Sequence, residues 1–223
     1  MLLSGKKVVV TGGAGVLGQA VGEMAQSNGA EVVLLDVVPN FVSALGDTHT
    51  VDLTDALAVT ECLADIGRFD ALANIAGGFD MGPTLYETDD EMWDAMFNIN
   101  VTTLRTMLRV AVPMLIAQGH GSIVNVGALG ALRGAGNMGA YTAAKSTVMR
   151  ITEALSDEVK SQGINVNAVL PSLIDTPRNR ADMPDADFST WVDPTDLASV
   201  VCFLASDAAR AVHGALVPVS GLL

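Results

Sequence analysis

Residues 6–36, KKVVVTGGAGVLGQAVGEMAQSNGAEVVLLD, decide the fold. The β-branched run at 6–11 predicts a buried strand, and GGAGVLG at 12–18 follows with no intervening residue. The next residues are amphipathic to about Asn28, with Gly29 as a helix stop, and EVVLLD at 31–36 predicts a second buried strand. Strand, glycine-rich turn, helix and strand ending in an acid make a βαβ unit. In that setting Gly12, Gly15 and Gly18 let the backbone turn tightly against a pyrophosphate, with Val16 and Leu17 opening the helix whose free amides face it. Asp36 lies about 20 residues on, where a carboxylate accepts hydrogen bonds from ribose hydroxyls and repels a 2′-phosphate. No Arg or Lys occurs between Val8 and Asn40. The sequence therefore predicts a dinucleotide site that prefers NAD(H) to NADP(H).

The rest of the chain repeats the alternation. A strand at 48–53 ends in Asp52 and Leu53, and Asp52 either contacts adenine or caps the following helix. Another strand at 69–76 runs through Asn74 and Ala76 into Gly77-Gly78, small residues that admit a ligand close to the backbone. A long helix is expected over 88–118, its methionines serving core or subunit interface. Asn100 in that helix is either a capping or kink residue or part of a proton relay. Strands follow at 121–126 and 164–170, with a helix from about Gly139 to Gln162 between them. The polar segment 171–191 with its three prolines is long enough for a lid. A helix from Asp193-Pro194 and a strand at 215–219 close the chain. This pattern predicts one α/β domain over residues 1–223, a doubly wound parallel sheet flanked by helices.

Composition narrows the partners. The 223 residues are 50% apolar and 17% charged, with a formal net charge of −13, which argues against nucleic acid and anionic membranes. No apolar run reaches the roughly 18 residues of a membrane span, and MLLSGKK does not read as a signal peptide. Cys62 and Cys202 lie in apolar helical patterns, and His49, His120 and His213 are scattered, so no metal site is expected. A cytoplasmic protein acting on a small molecule is the expectation.

The chemistry is expected on the helix at 139–162, where Tyr141 and Lys145 stand four residues apart on one face. An ammonium near a phenol favours the phenolate and makes the phenol a better acid near neutral pH. The alternative is that Tyr141 packs and Lys145 is solvated.

Taken together, the turn at 12–18, Asp36, Asp52-Leu53, NIAG at 74–77, Asn100, YTAAK at 141–145 and PSLIDT at 171–176 resemble the short-chain dehydrogenase/reductase family over essentially the whole chain. The resemblance implies that Tyr141 donates the proton and that Lys145 binds the nicotinamide ribose and lowers the Tyr141 pKa. It implies a cofactor lined by Asn74, Ala76, Gly77 and Pro171, with backbone around Ile174 and the Thr176 hydroxyl on the carboxamide. It also implies dimers or tetramers joined through the helices around Asn100 and Arg150.

Two positions depart from the family pattern. Its usual glycine falls where Val16 stands, and its catalytic serine position holds Ala128. Both departures, with AGG-aromatic at 76–79 and the 170–191 segment, resemble the dihydropteridine reductase branch, although that branch carries Trp where Phe79 stands. The missing hydroxyl has a chemical sense. Ketone reduction localises charge on one oxygen, and losing one donor there costs about 10²–10³ in rate. In a quinonoid dihydropterin the charge spreads over a conjugated ring. Phe79 or Trp191 either stacks on such an acceptor beside Ala128 or simply packs. An NADH-dependent reduction of a quinonoid acceptor is therefore expected; the alternatives are a general alcohol/carbonyl oxidoreductase and a non-catalytic NAD-binding regulator.

Overall fold

A computed structural model describes all 223 residues. Seven strands form one wholly parallel sheet: β1 Lys7–Thr11, β2 Glu31–Asp36, β3 Asp47–Thr50, β4 Ala71–Asn74, β5 Gly121–Val126, β6 Ile164–Pro171 and β7 Leu216–Val219, in the order β3-β2-β1-β4-β5-β6-β7. The helices are α1 Val16–Ser27, α2 Ala56–Ile66, α3 Asp90–Phe97, α4 Thr103–Gln118, α5 Gly139–Val159, α6 Pro177–Asp182 and α7 Pro194–Leu204. The doubly wound architecture expected from the alternation is the one observed.

Successive side chains of a strand point to opposite faces, and here both faces are covered. Val9, Val33 and Leu35 join the core under α2, α4 and α5, with Leu63, Met107 and Leu115. Val8, Val10, Val32 and Leu34 join the core under α1 and α7, with Val21, Ala25, Leu197 and Val201. The apolar runs carry no polar alternation because neither face meets water. The strand order reverses between β1 and β4, and in open α/β sheets the crevice at the carboxyl ends of such strands is where ligands bind.

The helix expected over 88–118 is broken. Asp89 caps α3 by accepting from Met92 N at 2.9 Å. A π-helical turn at Asn98–Thr102 then separates α3 from α4. By length and composition the run Asp90–Gln118 could cross a membrane, which the sequence reading did not anticipate, but half of its apolar window is buried in this protein. The third strand ends at Thr50, short of Asp52. Asp55, not Asp52, caps α2, accepting from Leu57 N at 2.8 Å.

Candidate active site

The glycine-rich turn lies at the β1/β4 crevice. Gly12 has φ +68°, and a Cβ there would stand 2.9 Å from Ala76 N; a Cβ at Gly18 would fall 2.0 Å from Gly12 O. Only glycine lets turn and helix meet this closely. Gly15 is the N-cap of α1 in extended backbone with no side-chain cap, so the first amides of α1 are left to face a ligand. Val16, where the family carries glycine, is 43% exposed at the start of α1 and obstructs nothing in the turn. Leu17 packs against the α1/α7 core. The Asp36 carboxylate closes the far side of the turn, accepting from Ala14 N at 2.9 Å and Val38 N at 3.1 Å. This cradle fits a dinucleotide: a bare turn, a helix N-terminus and a carboxylate, with no Arg or Lys on the local chain.

Asp52 is exposed and bends its own turn, accepting from Thr54 N at 2.8 Å and Thr54 Oγ1 at 2.7 Å, contacts that hold its carboxyl below the ordinary range. The sequence reading left it between adenine and a helix cap; the cap belongs to Asp55. Leu53 points inward and lines a small cavity with Asn74, Ala76, Asn100 and Lys145.

Asn100 sits in the π turn, 2% exposed, and grips the backbone after β4 in both directions. Its Nδ2 donates to Gly78 O at 3.0 Å and Met96 O at 3.0 Å, and its Oδ1 accepts from Gly78 N at 3.1 Å. A π turn re-aims the side chains it carries, and here the re-aimed one is Asn100. A Cβ at Gly77 would lie 2.8 Å from Asn100 Oδ1 and 3.1 Å from Lys145 Nζ, so three sequence-distant residues meet there.

Tyr141 and Lys145 both rise from the first turns of α5. Lys145 is buried and donates to Val126 O at 2.9 Å. Tyr141 lies edge-to-face with Phe79, ring centroids 4.9 Å apart, and packs against the group of Ala128, Ala131, Met149 and Leu170. No hydrogen bond ties its hydroxyl to the protein. Burial alone pushes the phenol up to about 12, and burial lowers the Lys145 ammonium to about 8. In the dinucleotide-free protein desolvation of each group sets the direction of its shift, so the lowering of the tyrosine pKa that the resemblance implies is not present without the cofactor. Lys145 is not solvated either.

Ala128 is buried among apolar side chains and brings no hydroxyl to the site. Phe79 is 39% exposed and faces the tyrosine ring from the loop after β4. Trp191, by contrast, is only 7% exposed and packs edge-on against Phe188 with centroids 4.8 Å apart, so of the two open alternatives it takes packing. The 171–191 segment is itself ordered by local contacts. Pro171 ends β6, Thr176 caps α6 through Asn179 N at 3.2 Å, and Asn179 Nδ2 donates to Ile174 O at 2.8 Å. Arg180 pairs with Asp175 through two contacts of 2.5 and 2.6 Å and covers the Phe188 ring at 4.7 Å.

Sequence reading missed Thr11, which accepts from Ala76 N at 3.1 Å, and the buried pair Asn125 and Thr152. The signal was present: an asparagine inside an otherwise apolar β5, and a threonine on the buried face of α5, must each find a partner.

A family model described as Enoyl-(Acyl carrier protein) reductase matches residues 12–221. Short chain dehydrogenase adrF of Penicillium rubens is 30% identical over 98% of this chain and 96% of its own. The 2,5-dichloro-2,5-cyclohexadiene-1,4-diol dehydrogenase LinX of Sphingobium indicum is 32% identical over 98% of this chain and 96% of its own. Among solved structures, ElxO with NADP bound superposes with TM-score 0.88 at 24% identity, covering 97% of each chain, a likeness of fold. With its parallel sheet, its bare glycine cradle and its Tyr141/Lys145 helix, the chain belongs to the short-chain dehydrogenase/reductase family, as an oxidoreductase that binds a nicotinamide dinucleotide.

Proposed function

We propose that the protein uses NADH to reduce a flat, conjugated acceptor of the quinonoid dihydropterin class, with Tyr141 as the proton donor. The observation that carries this reading is the solitude of the Tyr141 hydroxyl. It makes no hydrogen bond within the protein, its ring packs against Phe79 and the Ala128 group, and alanine holds the position where the family carries its serine. A site with one phenol is poorly suited to a localised alkoxide and better suited to charge spread over a ring. The bound dinucleotide supplies the hydride. The chain's own residues orient the reactants and manage the proton. The turn at Gly12–Gly18 and the amides of α1 receive the pyrophosphate, and Asp36 receives the adenosine ribose. Lys145, fixed by Val126 O, presents an ammonium to the nicotinamide ribose. Tyr141 releases its proton to the acceptor, and Phe79 offers it an aromatic edge.

The preference for NADH rests on Asp36. A 2′-phosphate would meet that carboxylate and no local cation. ElxO carries NADP, so the two cofactors must be compared directly on this protein. The dihydropterin assignment rests on this chain's motifs; LinX is named for a different substrate, a chlorinated cyclohexadiene diol. A second reading, oxidation of a ring alcohol, draws on the likeness to LinX.

The test is steady-state oxidation of NADH and NADPH with quinonoid dihydrobiopterin beside a panel of ketones and cyclic alcohols. The reading requires turnover with the quinonoid acceptor, and a kcat/KM at least about tenfold higher with NADH, the cost of one unfavourable charge contact. Turnover confined to ketones or alcohols sinks it. Ala128→Ser adds the missing donor at a buried position. It is expected to raise ketone reduction by about 10²-fold, the worth of one such donor, while changing quinonoid reduction by less than about threefold. A large gain on ketones in a protein that never turned over the pterin would support the second class of reading instead.

A further inference from the structure

The segment Ile174–Thr176, which the family resemblance sets against the nicotinamide carboxamide, follows the carboxyl end of β6. Its neighbour in the sheet is β5, whose Val126 holds Lys145. Here the chain begins an excursion that returns at Val192. Backbone seals the base of that excursion: Ile174 bridges Val192, Asp175 N donates to Val192 O at 2.8 Å, and Val192 N donates to Leu173 O at 2.8 Å. Ile174 N and Thr176 N find no acceptor within the protein. Both are donors that a ligand can use.

Side chains of α6 grip the same segment from its other end. Asn179 Nδ2 donates to Ile174 O at 2.8 Å. Thr176 Oγ1 accepts from Asn179 N at 3.2 Å, so its own hydrogen is left to donate outward. Asp175, the residue between, accepts from Arg180 Nε at 2.5 Å and Arg180 Nη2 at 2.6 Å. An exposed ion pair contributes little as a rule, but a two-pronged guanidinium–carboxylate contact fixes orientation as well as distance. Arg180 is itself braced. Its guanidinium lies 4.7 Å from the centroid of the Phe188 ring, and Phe188 packs edge-on against the buried Trp191. The brace thus runs from Trp191, next to the base of the excursion, through Phe188 and Arg180 to Asp175. No core packing requires it, since the Arg180 side chain is half exposed.

We infer that Arg180 is a positioning residue for the nicotinamide end of the cofactor, acting through Asp175 on the donors of Ile174 and Thr176. The inference rests on the assignment of those two residues to the carboxamide and not on the identity of the acceptor. The adenosine end is received elsewhere, by the Gly12–Gly18 turn and Asp36. Arg180 therefore bears on one half of the dinucleotide only. Without the fork, residues 174–176 must be ordered at the moment of binding, and the affinity contributed by the nicotinamide half falls.

The experiment is calorimetric titration of the full chain with NADH and with ADP-ribose, which lacks the nicotinamide ring. Wild type is expected to bind NADH more tightly than ADP-ribose. Arg180→Gln is expected to raise the Kd for NADH about fivefold to tenfold, the effect of losing about one hydrogen bond, and to change the Kd for ADP-ribose by less than about twofold. Arg180→Lys keeps the charge without the fork and is expected to restore less than half of the lost NADH affinity. Asp175→Asn is expected to match Arg180→Gln, and the double variant to bind no more weakly than either single one, as for two residues acting as a unit. Equal losses for NADH and ADP-ribose overturn the inference, because they place Arg180 on the phosphates or in the fold at large. An additive double variant also overturns it, by separating Arg180 from Asp175. So does a wild-type protein that binds the two ligands equally, which removes the carboxamide contact itself. Should NADPH prove the tighter dinucleotide, the same comparison is made between NADPH and 2′-phospho-ADP-ribose. Binding is read without an acceptor, so failure to turn over quinonoid dihydrobiopterin leaves each of these outcomes decisive.

Discussion

Tyr141→Phe is expected to lower kcat by about 10²–10⁴ while leaving the fold and cofactor binding intact, the range for loss of a positioned general acid. The reason lies in what the hydroxyl does not do. It makes no hydrogen bond to the protein, so its removal orphans no partner, and the ring keeps its edge-to-face contact with Phe79 and its apolar neighbours around Ala128. Thermal stability should therefore hold, since the hydroxyl has no protein partner to orphan. Ala128 is no reserve donor, so nothing else can protonate the acceptor from this side. Steady-state kinetics with NADH titration and a melting curve check both halves. Retention of more than about a tenth of the wild-type kcat would take Tyr141 out of the chemistry, since even the weakest general acids supply about 10².

Lys145→Met is expected to make the protein more stable at neutral pH even as it abolishes turnover. Burial depresses the Lys145 pKa from its ordinary 10.5 to about 8. Below pH 8 the lysine is charged in both states, and the folded state bears the whole desolvation cost. Between about 8 and 10.5 the unfolded chain still binds the proton while the folded one has lost it, so stability rises with pH across that window. Above 10.5 both are neutral and the cost is gone. The depression corresponds to about 3 kcal/mol as an order of magnitude. Urea unfolding of wild type and Lys145→Met from pH 6 to 10.5 should therefore show the variant ahead at pH 7 and the two converging toward pH 10.5, a comparison in which the other titrating groups cancel. Parallel curves would mean that Lys145 is solvated in the native protein.

The two variants also separate the roles of the pair. In the free protein burial pushes the phenol up to about 12, so it holds its proton at any physiological pH. Loss of the Lys145 charge as pH rises past about 8 is expected to give a falling limb in kcat/KM there, one that Lys145→Met removes. If Lys145 and the nicotinamide charge bring the phenol down, as the family resemblance implies, they do so only with the dinucleotide in place.

Much of this molecule could be read from local patterns. Strand and helix alternation, the glycine turn, Asp36 and the Tyr141/Lys145 spacing are short-range features, set by periods of about two and 3.6 residues and by where glycine alone is allowed. They determined a parallel doubly wound sheet, a dinucleotide cradle and one helix carrying the candidate acid.

Only the tertiary structure decided the rest. It broke the long helix with a π turn, because Asn100 had to reach Gly78, 22 residues away in sequence. It buried Trp191 against Phe188 and set Phe79 over Tyr141 instead. It linked Asn74 to Asn125 across 51 residues and Asn125 to Thr152 across 27, leaving the Asn74 side-chain oxygen buried without a partner. It also set the direction of both pKa shifts. A pattern along the chain shows which residues share a face; it does not show how much water their polar ends retain, and that quantity, fixed by packing from every side, governs the charge of Lys145 and the acidity of Tyr141.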